Sequence, residues 1–397
     1  MDSNKLRADF PVLQSSKSIY FDSACTTLKP RAVIDAEGAY YSELSACAGR
    51  SHHTLARRTE EKFEASRARI ASFVGAKPEE LVFTKNTTEA LNLVVRSLDY
   101  SQRKKVVSTP LEHHSLLLPI MEQQRRGIVK MEMMEVNQAG EIPESSLSVI
   151  DSSTALVAVH HTTNTTGMRA PLERIVKAAH DAGALVLIDA AQGVPHSRVD
   201  FRRLGADFLA FSGHKMCGPT GIGCLVGKKE AMERLDTFIV GGETVETVSL
   251  TEVKWKNAPK RFEAGIQNYA GAIGLAAACD YLAKIGMQNT EEHEKKMAGA
   301  LISAIQSIPG ATIYGSTSAP RCALVSFNLK GVSAHQVALM ADSLSKIAMR
   351  SGVFCAEPGA NALGFGKGAA RASLYLYNTD EEVRVFAEAM QKIAKIG

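Results

Sequence analysis

Asp207-Phe208-Leu209-Ala210-Phe211-Ser212-Gly213-His214-Lys215 runs directly into Met216-Cys217-Gly218-Pro219-Thr220-Gly221-Ile222-Gly223. An apolar run ends in a hydroxyl, a glycine, an imidazole and a lysine, and the glycines beyond let the backbone fold back tightly. The pattern predicts a buried strand over 207–211 that delivers Lys215 at its carboxyl end, the edge where open α/β sheets collect ligands. An amine shielded from water there loses its proton readily and attacks an aldehyde.

Outward from that stretch, strands and helices alternate. Apolar runs at 81–84, 105–108, 131–136, 155–159 and 184–189 read as strands, with helices at 86–98, after 111–115, and at 171–182. The run 223–227 follows 212 too closely for a helical crossover and is expected to lie antiparallel. Fully apolar strands between helices predict a mainly parallel sheet covered on both faces. Upstream, 1–16 reads as a short helical arm ending at Pro11, 19–21 as a strand, 22–27 as a turn, and 32–45 and 59–74 as helices flanking a polar loop at 49–54. Downstream, a loop-rich stretch leads to a helix at 269–285. A second alternating unit then has strands at 312–314, 324–327 and 372–375 and helices at 290–308, 333–343 and 380–393.

The chain has 397 residues, too many for one ordinary core. Two domains are expected: a large one over 17–285, and a small one formed by 1–16 with 286–397. Hydrophobic residues make up 45% and charged residues 22%, the balance of a water-soluble globular chain. A net charge of +4 gives no argument for nucleic acid, and Arg103-Lys104-Lys105 reads as a solvated loop. No apolar run approaches the length of a membrane span, and the first residues lack a signal peptide's apolar region. Seven scattered cysteines without a CxxC pair imply free thiols in a reducing compartment, so a cytoplasmic location is expected.

Asp189 ends one apolar strand and Ser212-Gly213-His214-Lys215 ends the next, so one sheet edge gathers a carboxylate, a hydroxyl, an imidazole and an amine. That set suits pyridoxal 5′-phosphate (PLP): the lysine for its aldehyde, the carboxylate to keep its pyridine nitrogen protonated. Thr87 and Thr88 open a helix, where amides and hydroxyls make an anion site for a phosphate, with Ser212 and His214 as further donors. Three His-His pairs, 52–53, 113–114 and 160–161, invite a metal, but neighbours in extended chain face opposite ways and no HExxH appears, so no metal is expected. Phosphate-loop spacings are absent around Gly221-Ile222-Gly223 and Gly227-Lys228, and nothing resembles GxSxG. Cys355 lies between Ser351-Gly352 and Pro358-Gly359 in what reads as a loop, five residues after Arg350, whose charge favours a thiolate. The other six cysteines, Cys25 among them, read as small hydrophobes.

Asn86-Thr87-Thr88-Glu89-Ala90, Leu111-Glu112-His113-His114-Ser115, Asp189-Ala190-Ala191-Gln192, Ser212-Gly213-His214-Lys215 and Arg261-Phe262-Glu263-Ala264-Gly265 together resemble motifs of the PLP-dependent class V aminotransferases, fold type I, and within them the group II cysteine desulfurases. The resemblance covers nearly the whole chain. It implies a seven-stranded, mainly parallel sheet in a large domain beside a smaller α/β domain, and a homodimer that passes sulfur from L-cysteine to an acceptor protein for iron–sulfur or thio-cofactor synthesis. By the same resemblance Lys215 is the Schiff-base lysine, Asp189 the partner of the pyridine nitrogen, Gln192 that of the ring hydroxyl, and His113 stacks on the ring. Thr87, Thr88, Ser212 and His214 hold the phosphate, Asn164 and Arg371 receive the substrate carboxylate with Arg350 nearby, and Cys355 takes sulfur. Selenocysteine lyases, aminotransferases and epimerases share the pattern. The chain departs from it at Val353-Phe354, where similar enzymes carry histidine, at Glu357 in place of glutamine, and at Ile266 in place of a threonine that donates across subunits.

Overall fold

The computed structural model describes residues 2–49 and 51–396; Arg50, in the predicted polar loop, lies outside them. A two-residue strand, β1 (Ile19–Tyr20), precedes seven strands: β2 (Leu81–Thr84), β3 (Lys105–Ser108), β4 (Lys130–Met133), β5 (Thr154–His160), β6 (Leu185–Asp189), β7 (Phe208–Ser212) and β8 (Gly223–Gly227). They form one sheet in the order β2-β8-β7-β6-β5-β3-β4. β7, β6, β5, β3 and β4 run parallel, and β8 lies antiparallel to both neighbours. The short return through 213–222 permits nothing else. All seven residues of β5 are buried, which is why its sequence does not alternate.

A hairpin, β9 (Val245–Val248) with β10 (Val253–Trp255), follows in the stretch read as loop. The second sheet comprises β11 (Ala311–Tyr314), β12 (Leu324–Leu329), β14 (Arg350–Gly352) and β15 (Ala369–Ser373), all antiparallel, in the order β11-β12-β15-β14. β13 (Ile347–Ala348) leaves this sheet to pair in parallel with β1. That pairing carries the start of the chain to the second sheet, where Phe21 is fully buried against Phe386.

The helix Tyr269–Ile285 packs between Arg31–Ala39 and Thr54–Phe73. Its alanines and glycines allow the close approach: a side chain at Gly274 would sit 2.5 Å from the Pro219 ring. Among the described residues no single helix is long and apolar enough to cross a membrane. Arg67 joins Glu263 through two buried hydrogen bonds of 2.7 and 2.9 Å, and Glu263 also accepts the Phe83 amide at 2.7 Å. This ties the long second helix to β2, and breaking one partner of such a buried pair costs roughly 3–5 kcal/mol.

Several boundaries move for local reasons. The arm does not end at Pro11: a first turn stops at Phe10, and Pro11 begins a second short helix, a position that suits its missing N–H. The helix expected from residue 59 starts at Thr54, because the His53 ring accepts the Ala56 amide. The strand expected at 372–375 ends at Ser373, and the segment expected to continue as loop after Cys355 forms a short helix, Glu357–Ala362, with Pro358 in its first turn.

Candidate active site

β5, β6 and β7 end side by side, with His160 opposite Asp189 and Asp189 opposite Ala210 in the ladder. Lys215 follows β7 in a tight turn, Gly213–Lys215. A Cβ at Gly218 would lie 2.9 Å from the Gly213 carbonyl, and one at Gly223 2.6 Å from the Asn86 Cα. Only glycine lets the return strand pass so close to the helix that starts at Thr87. A cavity of about 220 Å³ opens at this edge, and all twelve residues singled out from the sequence line it.

One end of the cavity is rich in donors. Asn86 caps the helix Thr87–Ser97 by accepting the Glu89 amide, and Asn86, Thr87 and Thr88 at this helix start line the cavity. The Thr87 amide donates to Ser212 Oγ at 2.8 Å, the two hydroxyls lie 2.6 Å apart, and Thr88 Oγ1 meets Ser115 Oγ at 2.7 Å. Four hydroxyls and a helix N-terminus thus converge, a donor set that fits a phosphate. The turn bearing His214 is fixed from outside, since its carbonyl accepts from the Thr27 amide, Thr26 Oγ1 and Lys29 Nζ. Burial, with the charges of Lys215 and Lys29, pulls the His214 imidazole down to about 4.

At the centre, burial pushes the Lys215 amine below its ordinary range, although Asp189 pulls the other way. Burial raises the Asp189 carboxyl; the Ala191 amide, donating to Oδ1 at 2.9 Å, and Lys215 oppose that rise. Gln192 Nε2 donates to the Ala24 carbonyl at 2.7 Å, and its Oε1 faces His196 Nε2 at 3.1 Å, so the amide's orientation is set. His113 Nδ1 accepts the Ser115 amide at 3.1 Å, which puts the proton of the neutral ring on Nε2. Burial and nearby Lys215 bring its pKa to about 3, so the ring carries no charge at neutral pH. His160, read only as half of a His-His pair, also lines the cavity; its Nδ1 lies 2.8 Å from buried Glu112. A neutral imidazole, a buried carboxylate and a deprotonation-prone amine around one space fit a flat, electron-poor ring with an aldehyde, as PLP has.

The opposite wall belongs to the second sheet. Arg371, on β15, is buried; it donates to the Asn164 carbonyl at 2.8 Å and to Asp22 at 3.2 Å, while its Nε has no hydrogen-bond partner. Asn164 Nδ2 donates to the Phe354 carbonyl at 2.8 Å. Phe354 and Cys355 both adopt left-handed backbone, with φ of 59° and 56°. Two such residues cost roughly 2–4 kcal/mol together. The buried Phe354 ring, with the Arg371 guanidinium 4.7 Å from its centroid, offsets that with about 2–5 kcal/mol. Cys355 is exposed at the rim.

Two expectations about this wall need correction. Arg350, expected to favour a thiolate at Cys355, instead places its Nη1 2.7 Å from Cys25 Sγ. Cys25 is no core hydrophobe but half-buried in the cavity wall. The sequence held no signal for this, because β1–β13 and β14–β15 pairing brings residues 22–25 to residue 350 across more than three hundred positions. Glu357, which stands where similar enzymes carry glutamine, is engaged by His114 Nε2 at 2.5 Å. Among the described residues one trio, His196, Glu294 and Cys322, has metal-ligand spacing, but His196 already bonds Glu294 at 2.8 Å and Gln192.

This fold and this lysine-carboxylate edge define a class: the sequence model of the class-V aminotransferases matches residues 19–386, and the chain belongs to that family. Within it, the chain is 38% identical to a probable cysteine desulfurase of Halalkalibacterium halodurans, over 99% of this chain and 98% of that one. It is 35% identical to a cysteine desulfurase of Haloferax volcanii, over 98% and 96%. The apo cysteine desulfurase of Thermococcus onnurineus superposes with a TM-score of 0.95 at 39% identity, covering 99% of this chain and 98% of that one. The Escherichia coli cysteine desulfurase CsdA, in an S-sulfonic acid form, gives 0.92 at 32%, covering 100% and 99%.

Proposed function

We propose that this protein is a PLP-dependent cysteine desulfurase that converts L-cysteine to L-alanine and carries the sulfur away on Cys355. One observation supports this most: a single cavity has a lysine and a buried carboxylate on one wall and a rim thiol on the other. When bound, PLP supplies an aldehyde carbon for an amine and a ring that draws electrons from the adjoining carbon.

Thr87, Thr88, Ser212 and His214 would hold the phosphate, Asp189 would pair with the ring nitrogen and Gln192 with the ring hydroxyl, and neutral His113 would stack on the ring. Arg371, with an unpartnered Nε, and Asn164 receive the substrate carboxylate, with Arg350 adding positive charge. Lys215, its amine pushed by burial below its ordinary range, takes the proton from the substrate Cα and returns one to the product. Cys355 Sγ attacks the substrate sulfur: a sulfur–sulfur bond forms, the sulfur–Cβ bond breaks, and Cys355 keeps the sulfur as a persulfide. An acceptor protein then removes it for iron–sulfur or thio-cofactor assembly, in the cytoplasm.

A homodimer belongs to the same reading. Ile239, Val240, Val248, Leu250, Val253 and Ile266 are all large, apolar and exposed along one segment around the β9–β10 hairpin, the kind of surface a second copy covers. The apolar pair Val353-Phe354, in place of an imidazole beside the thiol, favours one other reading, selenocysteine lyase, whose substrate needs less help from Cys355. The test is to supply the PLP-loaded protein with L-cysteine or L-selenocysteine and a reductant, and to measure alanine. Cysteine should yield alanine and sulfide, and Cys355→Ala should remove at least ~100-fold of that rate. Alanine from selenocysteine alone, unaffected by Cys355→Ala, would select the lyase.

A further inference from the structure

Two thiols, not one, open into the cavity beside Lys215: Cys355 at the rim and Cys25 in the wall. The other five are placed elsewhere. Cys217, Cys224, Cys279 and Cys322 are fully enclosed, and burial pushes the thiols of Cys217 and Cys322 up to about 12; Cys47 is exposed outside the cavity.

Cys25 is held in place from three sides. Its amide donates to the Asp22 carbonyl at 3.0 Å, closing a turn. Its neighbour Ala24 is bonded through its amide to Ser373 Oγ of β15 at 3.0 Å and through its carbonyl to Gln192 Nε2, in the turn after β6, at 2.7 Å. Arg350 Nη1, 3.8 Å from Asp22 Oδ2, approaches Cys25 Sγ to 2.7 Å, so a cation lies directly against this sulfur in the cavity wall. Both thiols also act electrostatically on the Lys215 amine, as groups sharing one space with it do. Cys355 sits instead on left-handed backbone next to Phe354, in a loop that projects to the rim.

We propose that Cys25, paired with the Arg350 guanidinium, is a second sulfur-carrying thiol that takes the sulfur from Cys355. The inference rests on the desulfurase reading above. In the step, the Cys25 thiolate attacks the outer sulfur of the Cys355 persulfide. A sulfur–sulfur bond forms at Cys25, the one at Cys355 breaks, and Cys355 departs as a thiolate that takes up a proton. One sulfur–sulfur bond replaces another, so no oxidant or reductant is consumed. The exchange moves sulfur from an exposed rim to a half-buried wall beside a cation and frees Cys355 for another substrate before an acceptor arrives.

The experiment loads the full chain with PLP, adds L-cysteine without reductant, alkylates, digests, and counts sulfur on the Cys25 and Cys355 peptides by mass spectrometry. Wild-type protein should carry extra sulfur on both peptides, Cys355 first, and Cys25→Ser should hold about twofold less sulfur per chain. In Cys355→Ser the Cys25 peptide should stay unmodified. An unmodified Cys25 in wild-type protein that makes alanine and labels Cys355 overturns the proposal. So does sulfur on Cys25 in Cys355→Ser, or a Cys25–Cys355 disulfide formed with release of sulfide, because the thiol then exchanges without carrying. If cysteine yields no alanine at all, it is the desulfurase reading that fails, and the two failures are distinct.

Discussion

The two walls of the cavity are built on different physical terms. The large-sheet wall is set by ladder register: β5, β6 and β7 end together, and Asp189 and the turn to Lys215 inherit positions that sixteen buried strand residues determine. The second-sheet wall depends on side chains holding an unfavourable backbone, with Phe354 buried under Arg371 so that Cys355 projects from left-handed geometry. A register error on the first wall would require unzipping a sheet. On the second, losing one ring is enough. The first wall therefore suits groups that must stay put around a ring, and the second a thiol that must travel.

The largest effect should come from removing the amine of the fixed wall. Lys215→Ala should lower cysteine turnover by at least ~1000-fold, because proton transfer and the covalent attachment both go with it. The fold should persist, since the side chain lines the cavity and the strand beneath it is untouched. Alanine production and the thermal midpoint, measured together, check this; a variant that keeps turning over would show that the edge of the sheet is not where the chemistry occurs.

A smaller and more selective effect should follow on the other wall. Phe354→Ala removes the buried ring that compensates two left-handed residues. The Cys355 loop should relax, and sulfur transfer should fall by roughly 10–100-fold, the scale of an ångström-sized misplacement. Visible absorbance of the bound cofactor should not change, because no residue of the fixed wall is altered. Equal loss of cofactor binding and sulfur transfer would mean that the two walls are not independent.

The same contrast explains what was legible in the sequence. Lys215, Asp189 and Thr87 each sit where a short apolar run meets a polar turn or cap, so local pattern locates them at one sheet edge. The antiparallel β8 followed from the length of a single connection. Cys25 and the true partner of Arg350 were not legible, because nothing near either residue encodes the β1–β13 pairing that joins them. Phe354 read as a mere departure from a family pattern, and its left-handed φ is a property of the folded loop. Glu112 stood within a quoted motif, yet its partner His160 is supplied by another strand.

The smallest expected effect concerns acid. His113 and His161 are pulled down to about 3 and His214 to about 4, in each case first by burial and then by nearby cations. All three belong to the fixed wall or the strand ends supporting it; His161 donates its amide to the Asp189 carbonyl at 2.8 Å. A histidine whose folded pKa lies below its unfolded value of about 6.5 binds fewer protons folded than unfolded in the interval between them. Stability therefore rises with pH across that interval: the contribution is whole above about 6.5 and is lost progressively as pH falls toward 3–4. Urea midpoints should decline from pH 7 to pH 4.5, and His161→Asn, which cannot take up the proton, should make the decline shallower. An unchanged slope in that variant would mean that His161 reaches water before the sheet edge opens, so that the fixed wall is less closed than its buried strands imply.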